Sequence, residues 1–86
     1  MNNVRVYVVY IQQPQPQCGL ARLEVFGDRD RAVAHLRAEY DRFRAALPGA
    51  ALQEFATDVG ENVAVGVVRA GFNSWSGRVV VREVVA

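Results

Sequence analysis

Few side chains in this sequence could do acid–base or covalent chemistry, and they stand apart from one another. His35 is the only histidine and Cys18 the only cysteine. A general base needs a nucleophile or a proton donor within hydrogen-bond reach. Nothing beside His35 in sequence invites that role; Arg31 and Glu39, four residues to either side, mark it as a boundary residue of a helix. Cys18 has no second cysteine to bridge to. No basic cluster adjoins it to lower its pKa, so it reads as a loop thiol. Asp28 and Asp30 are close together, but helix capping accounts for them. The chain contains no phosphate-binding glycine loop and no metal-ligand spacing of His, Cys and carboxylates. These residues imply no catalytic site, no metal and no cofactor, and hence a protein that is not an enzyme.

Chemistry of recognition is better represented. Gly71-Phe72-Asn73-Ser74-Trp75-Ser76-Gly77 holds the only tryptophan and a phenylalanine between glycines, with Arg69 and Arg78 at its base. Trp and Arg dominate interface hot spots because they bury large areas and still make polar contacts. Two roles are open to the stretch: Phe72 and Trp75 fold back and plug the end of the core, or the loop recognises a partner. The second makes Arg69, Phe72, Asn73, Trp75 and Arg78 the partner-binding set. All ten basic residues are arginine. The plain reading is a GC-rich genome; the sharper one is retention of arginine for bidentate contacts. A net charge of +1 gives no bulk case for nucleic acid or anionic membrane. Arg5, Tyr7, Arg22, Arg78 and Arg82 would make a basic aromatic sheet face, but Glu24 and Glu83 dilute it, so nucleic acid is not the expected partner.

The elements that must position these residues follow from periodicity. Eighty-six residues, 51% hydrophobic and 22% charged, fit a single globular domain over 1–86. Val33, Leu36, Tyr40, Phe43 and Leu47 recur at spacings of three and four, which predicts a long amphipathic helix over 28–47. Asp28 is its N-cap, Asp30 suits the positive end of its dipole, Arg37 and Asp41 can pair across one turn, and Pro48-Gly49 ends it. Val4 to Ile11 is apolar on both faces and predicts an interior strand covered on each side. Gln12 to Gly19 alternates Gln and Pro and reads as an extended loop. Leu20 to Phe26 alternates cleanly, with Ala21, Leu23 and Val25 on one face and Arg22 and Glu24 on the other, which predicts a solvated Arg/Glu side. Residues 50–59 favour a short second helix ending at Gly60; a strand over 51–57 is the alternative. Asn62 to Ala70 and Arg78 to Val85 form a hairpin through Gly71–Gly77. The small residues Ala64, Gly66 and Ala70 allow close approach of another layer or mark a bulge at Gly66.

The fold class that results is α+β: an antiparallel sheet of four to five strands with one helix on one face, in the order ββα(α or β)ββ. That helix is about 28–30 Å long and about 10 Å wide. It covers about half of one face of a four-stranded sheet at about 4.8 Å per strand. Fifteen of the sixteen valines lie outside it. The surplus apolar strand surface calls for a second layer from another copy or from a partner protein.

Val6-Tyr7-Val8-Val9, followed by Glu24-Val25-Phe26-Gly27-Asp28-Arg29-Asp30-Arg31-Ala32 entering a helix, resembles a pattern common in short bacterial and phage proteins. The likeness spans about a third of the chain and carries no catalytic residues. It implies a mobile-element protein, a group that includes inhibitors of bacterial defence systems, which usually work by blocking a surface. No apolar run reaches the roughly 20 residues of a membrane span, and the first residues lack a signal-peptide h-region, so the expected location is cytoplasmic. The expected function is a small non-enzymatic interaction protein. It binds a protein partner, or itself as a homodimer, through a sheet face and the 71–77 loop. The alternative is a dimeric α+β-barrel enzyme or ligand sensor whose pocket is lined by Arg5, Tyr7, Tyr10 and His35.

Overall fold

The computed structural model describes residues 3–12, 21–71 and 73–85. Strands β1 (Asn3–Gln12) and β2 (Ala21–Phe26) precede helix α1 (Arg29–Ala46); strands β3 (Leu52–Val59), β4 (Asn62–Ala70) and β5 (Asn73–Val85) follow it. All strand pairings are antiparallel, and the order across the sheet is β2-β1-β5-β4-β3. The architecture is therefore α+β, with five strands and one helix packed against the sheet. The Gln/Pro loop and Cys18 lie outside the described residues.

Helix α1 begins where the sequence places its cap. The Asp28 carboxylate accepts a hydrogen bond from the Asp30 backbone N–H at 2.8 Å, satisfying one of the free donors of the first turn. Ala32, Leu36 and Tyr40 are buried, with Val33, Phe43 and Leu47 packed at the margin. Arg37 and Asp41 pair at 3.3 Å on the outer side.

Three expectations are corrected. Residues 52–59 form strand β3 rather than a second helix. Phe55 lies opposite Gly66 of β4 and tilts against Tyr40 with ring centroids 5.4 Å apart. Pairing with β4 and the partial burial of that one aromatic override the helix-favouring composition, and Gly60, at φ +59, serves the β3–β4 turn instead of a helix end. The β4–β5 hairpin is tighter than Gly71–Gly77. Ala70 pairs directly with Asn73, so β5 starts before Trp75. The register shift in β4 falls between Asn62 and Ala64, and not at Gly66, which pairs regularly with Gly77.

That Gly66–Gly77 pair is the floor of the core. A Cβ at Gly66 would stand 3.1 Å from the Trp75 ring and 3.2 Å from Phe55. One at Gly77 would stand 2.5 Å from Leu36 Cδ1 and 3.2 Å from the indole. Trp75 thus lies over two residues without side chains, and α1 closes on it through Leu36, Tyr40 and Phe43. Phe43 stacks on the indole at 5.5 Å and 22°. Trp75, Leu36, Val9, Val68 and Val79 are all fully buried.

Gly77→Ala is expected to destabilise the protein by about 1–3 kcal/mol in denaturant unfolding, because the new methyl would overlap Leu36 Cδ1, itself fully buried, and press on the indole. Gly27→Ala, whose Cβ meets nothing within 4 Å, is expected to stay within about 0.5 kcal/mol. Equal stability of the two variants would mean that helix and sheet are not closely packed at this point.

Candidate functional site

Antiparallel partners share a face, so the register sorts the sheet into two surfaces. The helix side carries Val9, Ile11, Trp75, Gly77, Val79, Ala64, Gly66, Val68 and Phe55. The opposite side carries Val4, Val6, Val8 and Tyr10 of β1, Leu23 and Val25 of β2, Arg78, Val80, Arg82 and Val84 of β5, Val65, Val67 and Arg69 of β4, and Leu52, Glu54 and Ala56 of β3. No described helix or strand packs on that side.

Strand β2 is oriented the opposite way from the sequence expectation. Arg22 and Glu24 do not face solvent; they face α1. Arg22 pairs with Glu39 at 2.9 Å, and Arg42 pairs with the same carboxylate. His35 Nε2 lies 3.3 Å from Glu24 Oε1, and its ring lies 5.3 Å from that of Phe26. His35 and Glu39, one helical turn apart, thus form a polar seam holding the edge strand to the helix. Glu39 itself is buried. The apolar residues of β2 turn outward instead, with Leu23 56% and Val25 57% exposed. Strand β1 also departs from expectation: it is interior in the sheet order, but α1 covers only one of its faces.

The outward residues align in cross-strand rows. Val25, Val8 and Val80 form one row; Leu23, Tyr10, Arg78, Val65 and Ala56 form the next. Val4 and Val84, about half exposed, extend the apolar strip toward the free ends of β1 and β5. The Arg78 guanidinium lies over the Tyr10 ring at 5.2 Å. Beside this pair is a depression of about 440 Å³, lined by Tyr10, Gln12, Asn62, Val65, Ser76 and Arg78.

The expected partner-binding set divides between the two surfaces. Arg69 and Arg78 are exposed on the open face. Asn73 stands at the start of β5 on the helix side, and Phe72 lies outside the described residues. Trp75 is wholly buried beneath α1. It cannot reach a partner on this surface, because the glycine floor and Phe43 enclose it. The polar lining expected for a barrel pocket also divides: Tyr10 is on the open face, whereas Tyr7, His35 and Arg5 lie on the helix side, with Arg5 3.5 Å from Glu83. Sequence reasoning does not single out Leu23, Val25, Val4 and Val84 as site residues, and it names Arg82 only in a basic face whose Arg5, Tyr7 and Arg22 lie on the helix side. For Leu23 and Val25 the signal is present in the alternation of β2, but alternation does not say which face is inward. Among the described residues no cluster of three or more His, Cys, Asp or Glu side chains could hold a metal, and no helix is long and apolar enough to cross a membrane.

No protein family, no curated protein and no solved structure matches the chain.

Trp75→Ala is expected to cost about 3–5 kcal/mol of stability, the range for removing a buried large aromatic. Arg78→Ala is expected to cost less than about 1 kcal/mol, since it loses only an exposed cation–π contact. Unfolding curves for the two variants separate core from surface; a small loss at Trp75 would return the indole to the contact role.

Proposed function

We infer that the open sheet face is a protein-binding surface and that the chain acts by occupying a partner, without catalysis. One observation carries this reading. Strand β2 spends its charged residues on the helix and its apolar residues, Leu23 and Val25, on the outside. A register slip of one residue reverses both faces of a strand. An edge strand of a sheet with only one buried face would therefore be expected to carry the opposite pattern. Its actual pattern fits a sheet that works with cover on both sides. A mobile-element inhibitor that blocks a surface, as the sequence resemblance implies, is one concrete form; a homodimer is another.

A small-ligand role is the second reading. The depression beside Tyr10 and Arg78 lies within the roughly 300–1,000 Å³ range of ligand pockets. It gains no support from Tyr7, His35 or Arg5, which stand on the other side of the sheet.

The test is affinity capture from the native host with wild-type protein and a Leu23→Thr/Val25→Thr variant. Threonine keeps strand propensity, trims the outward apolar surface and puts a hydroxyl in it, so stability is expected to hold within about 0.5 kcal/mol. Capture of a specific partner is expected to fall by about tenfold or more, given about 1.5–3 kcal/mol per large apolar side chain buried. Undiminished capture by the variant would overturn the reading.

A further inference from the structure

Charge on the open face narrows what it accepts. Of ten arginines, six are paired with carboxylates: Arg5, Arg22, Arg29, Arg37, Arg42 and Arg44. Among the described residues Arg31, Arg69, Arg78 and Arg82 have no carboxylate within pairing distance, and three of these four stand on the open face. The segments that are not described contain no Asp or Glu. Glu54 is the single acidic residue in open-face register. A chain with a net charge of only +1 has therefore concentrated unpaired cations on one surface.

Their arrangement is linear. Arg78 and Arg82 are four residues apart along β5, about 13–14 Å at about 3.4 Å per residue. Arg69 pairs with Ser74, four residues before Arg78, which continues the line by a similar step. The apolar strip runs beside Arg78 and Arg82. From Val4 to Tyr10 on β1 it covers six residue steps, about 20 Å; Val8 and Val80 are buried as its floor, and its exposed apolar surface is Val4 and Val84 at one end and Leu23 and Val25 along the β2 flank.

Resting on the protein-binding reading above, we propose that this face takes an amphipathic helix of a partner protein, about four turns long, with its apolar stripe on β1–β2 and a carboxylate-bearing flank along Arg78 and Arg82, which stand opposite Tyr10 and Val6 of the strip; Arg69 lies beyond its end. A helix of about 14 residues spans about 21 Å, the length of the strip. It lies on the side of the sheet opposite α1 and completes a helix–sheet–helix sandwich. A second copy docking through the same face would set arginine rows against each other with only Glu54 from each copy to compensate, and like charges in register oppose association. Single-stranded nucleic acid would meet the arginines, but among the described residues Tyr10 is the one aromatic on the face and already lies beneath Arg78; stacking platforms need several.

The test uses the full chain and three synthetic helical peptides of about 18 residues, each judged by NMR shift mapping and titration. The first carries leucines at i, i+3, i+4 and i+7 with glutamates on one flank. The second replaces the glutamates with lysines. The third keeps the glutamates and scrambles the leucines. Sedimentation gives the oligomeric state, and a poly-dT oligonucleotide is titrated alongside. The expected result is binding of the first peptide with shifts at Leu23, Val25, Val80, Arg78 and Arg82. The lysine and scrambled peptides are expected to bind at least about tenfold more weakly, and so is the first peptide to an Arg78→Gln/Arg82→Gln variant.

Equal binding of the glutamate and lysine peptides at those residues would leave a docking face and overturn its preference for acid. Equal binding of the scrambled peptide, or tighter binding of poly-dT, would overturn the helix. A dimer that protects Leu23 and Val25 would make the occupant a second copy. A monomer whose open face shifts with none of the peptides would overturn this proposal, while the protein-binding reading is decided separately by capture with the Leu23→Thr/Val25→Thr variant.

Discussion

The fold depends on the contact between Trp75 and the paired glycines beneath it. An indole is the bulkiest side chain, and here it lies between a helix and a sheet. Over ordinary strand residues it would hold the two layers apart. Gly66 and Gly77 sit opposite each other in neighbouring strands, so the ring drops onto bare backbone. That lets Leu36, Tyr40 and Phe43 reach it from above, and the layers close. Arg37 and Arg44 then lie over the Tyr40 ring, and Arg37 over Phe55, at 5.0–5.6 Å, covering the aromatic cluster from the solvent side of the helix. Glycine is costly in a strand because it packs nothing and is entropically expensive. Two of them face to face are tolerable only because Trp75 fills the space they leave.

The helix is centred over β4 and β5 by this contact, and that leaves the β2 side with little apolar cover. The seam formed by Arg22, Glu24, His35 and Glu39 is the consequence. With no large apolar pocket left at the flank of α1, the chain joins its edge strand through charges and through Phe26 against the His35 ring. Polar attachment at the edge frees the alternate residues of β2 to be apolar on the other side. The aromatic core and the greasy outer face are therefore linked: the position of one helix decides which face of β2 meets which environment.

Much of this is legible in the order of residues alone. The caps and stripe of α1 and the four strands other than β3, apart from the early start of β5, follow from spacing and from single residues such as Asp28 and Gly49. Periodicity leaves other questions unanswered. Period-two alternation reports that two faces differ, not which one is buried, so it points Arg22 and Glu24 toward solvent when they face the helix. Residues 52–59 carry weak local preferences, and their state is decided by pairing with β4, a contact between segments that only the tertiary structure brings together. Trp75 reads as a loop residue because glycines frame it. Those glycines are framing the ring itself. Gly77 lies two residues along the same strand face, and Gly66 is the cross-strand partner of Gly77, an arrangement visible only once the register is known.

The same limitation explains why the open face can be anticipated as a shortfall but not located. Counting apolar strand residues against the area of one helix predicts that some stay exposed, as Val4, Leu23, Val25 and Val84 do. It does not say whether the deficit lies around the helix or behind the sheet. Charge settles that question better than hydrophobicity does. On the helix side nearly every arginine finds a carboxylate within the molecule, as expected for a surface that is finished. On the open face Arg69, Arg78 and Arg82 stand beside exposed valines and a leucine with Glu54 as the single acid in register. A surface that is apolar and unneutralised makes two independent demands on whatever meets it. Solvent answers only the charge, and lipid answers only the apolar area. The acidic amphipathic helix we propose would answer both at once.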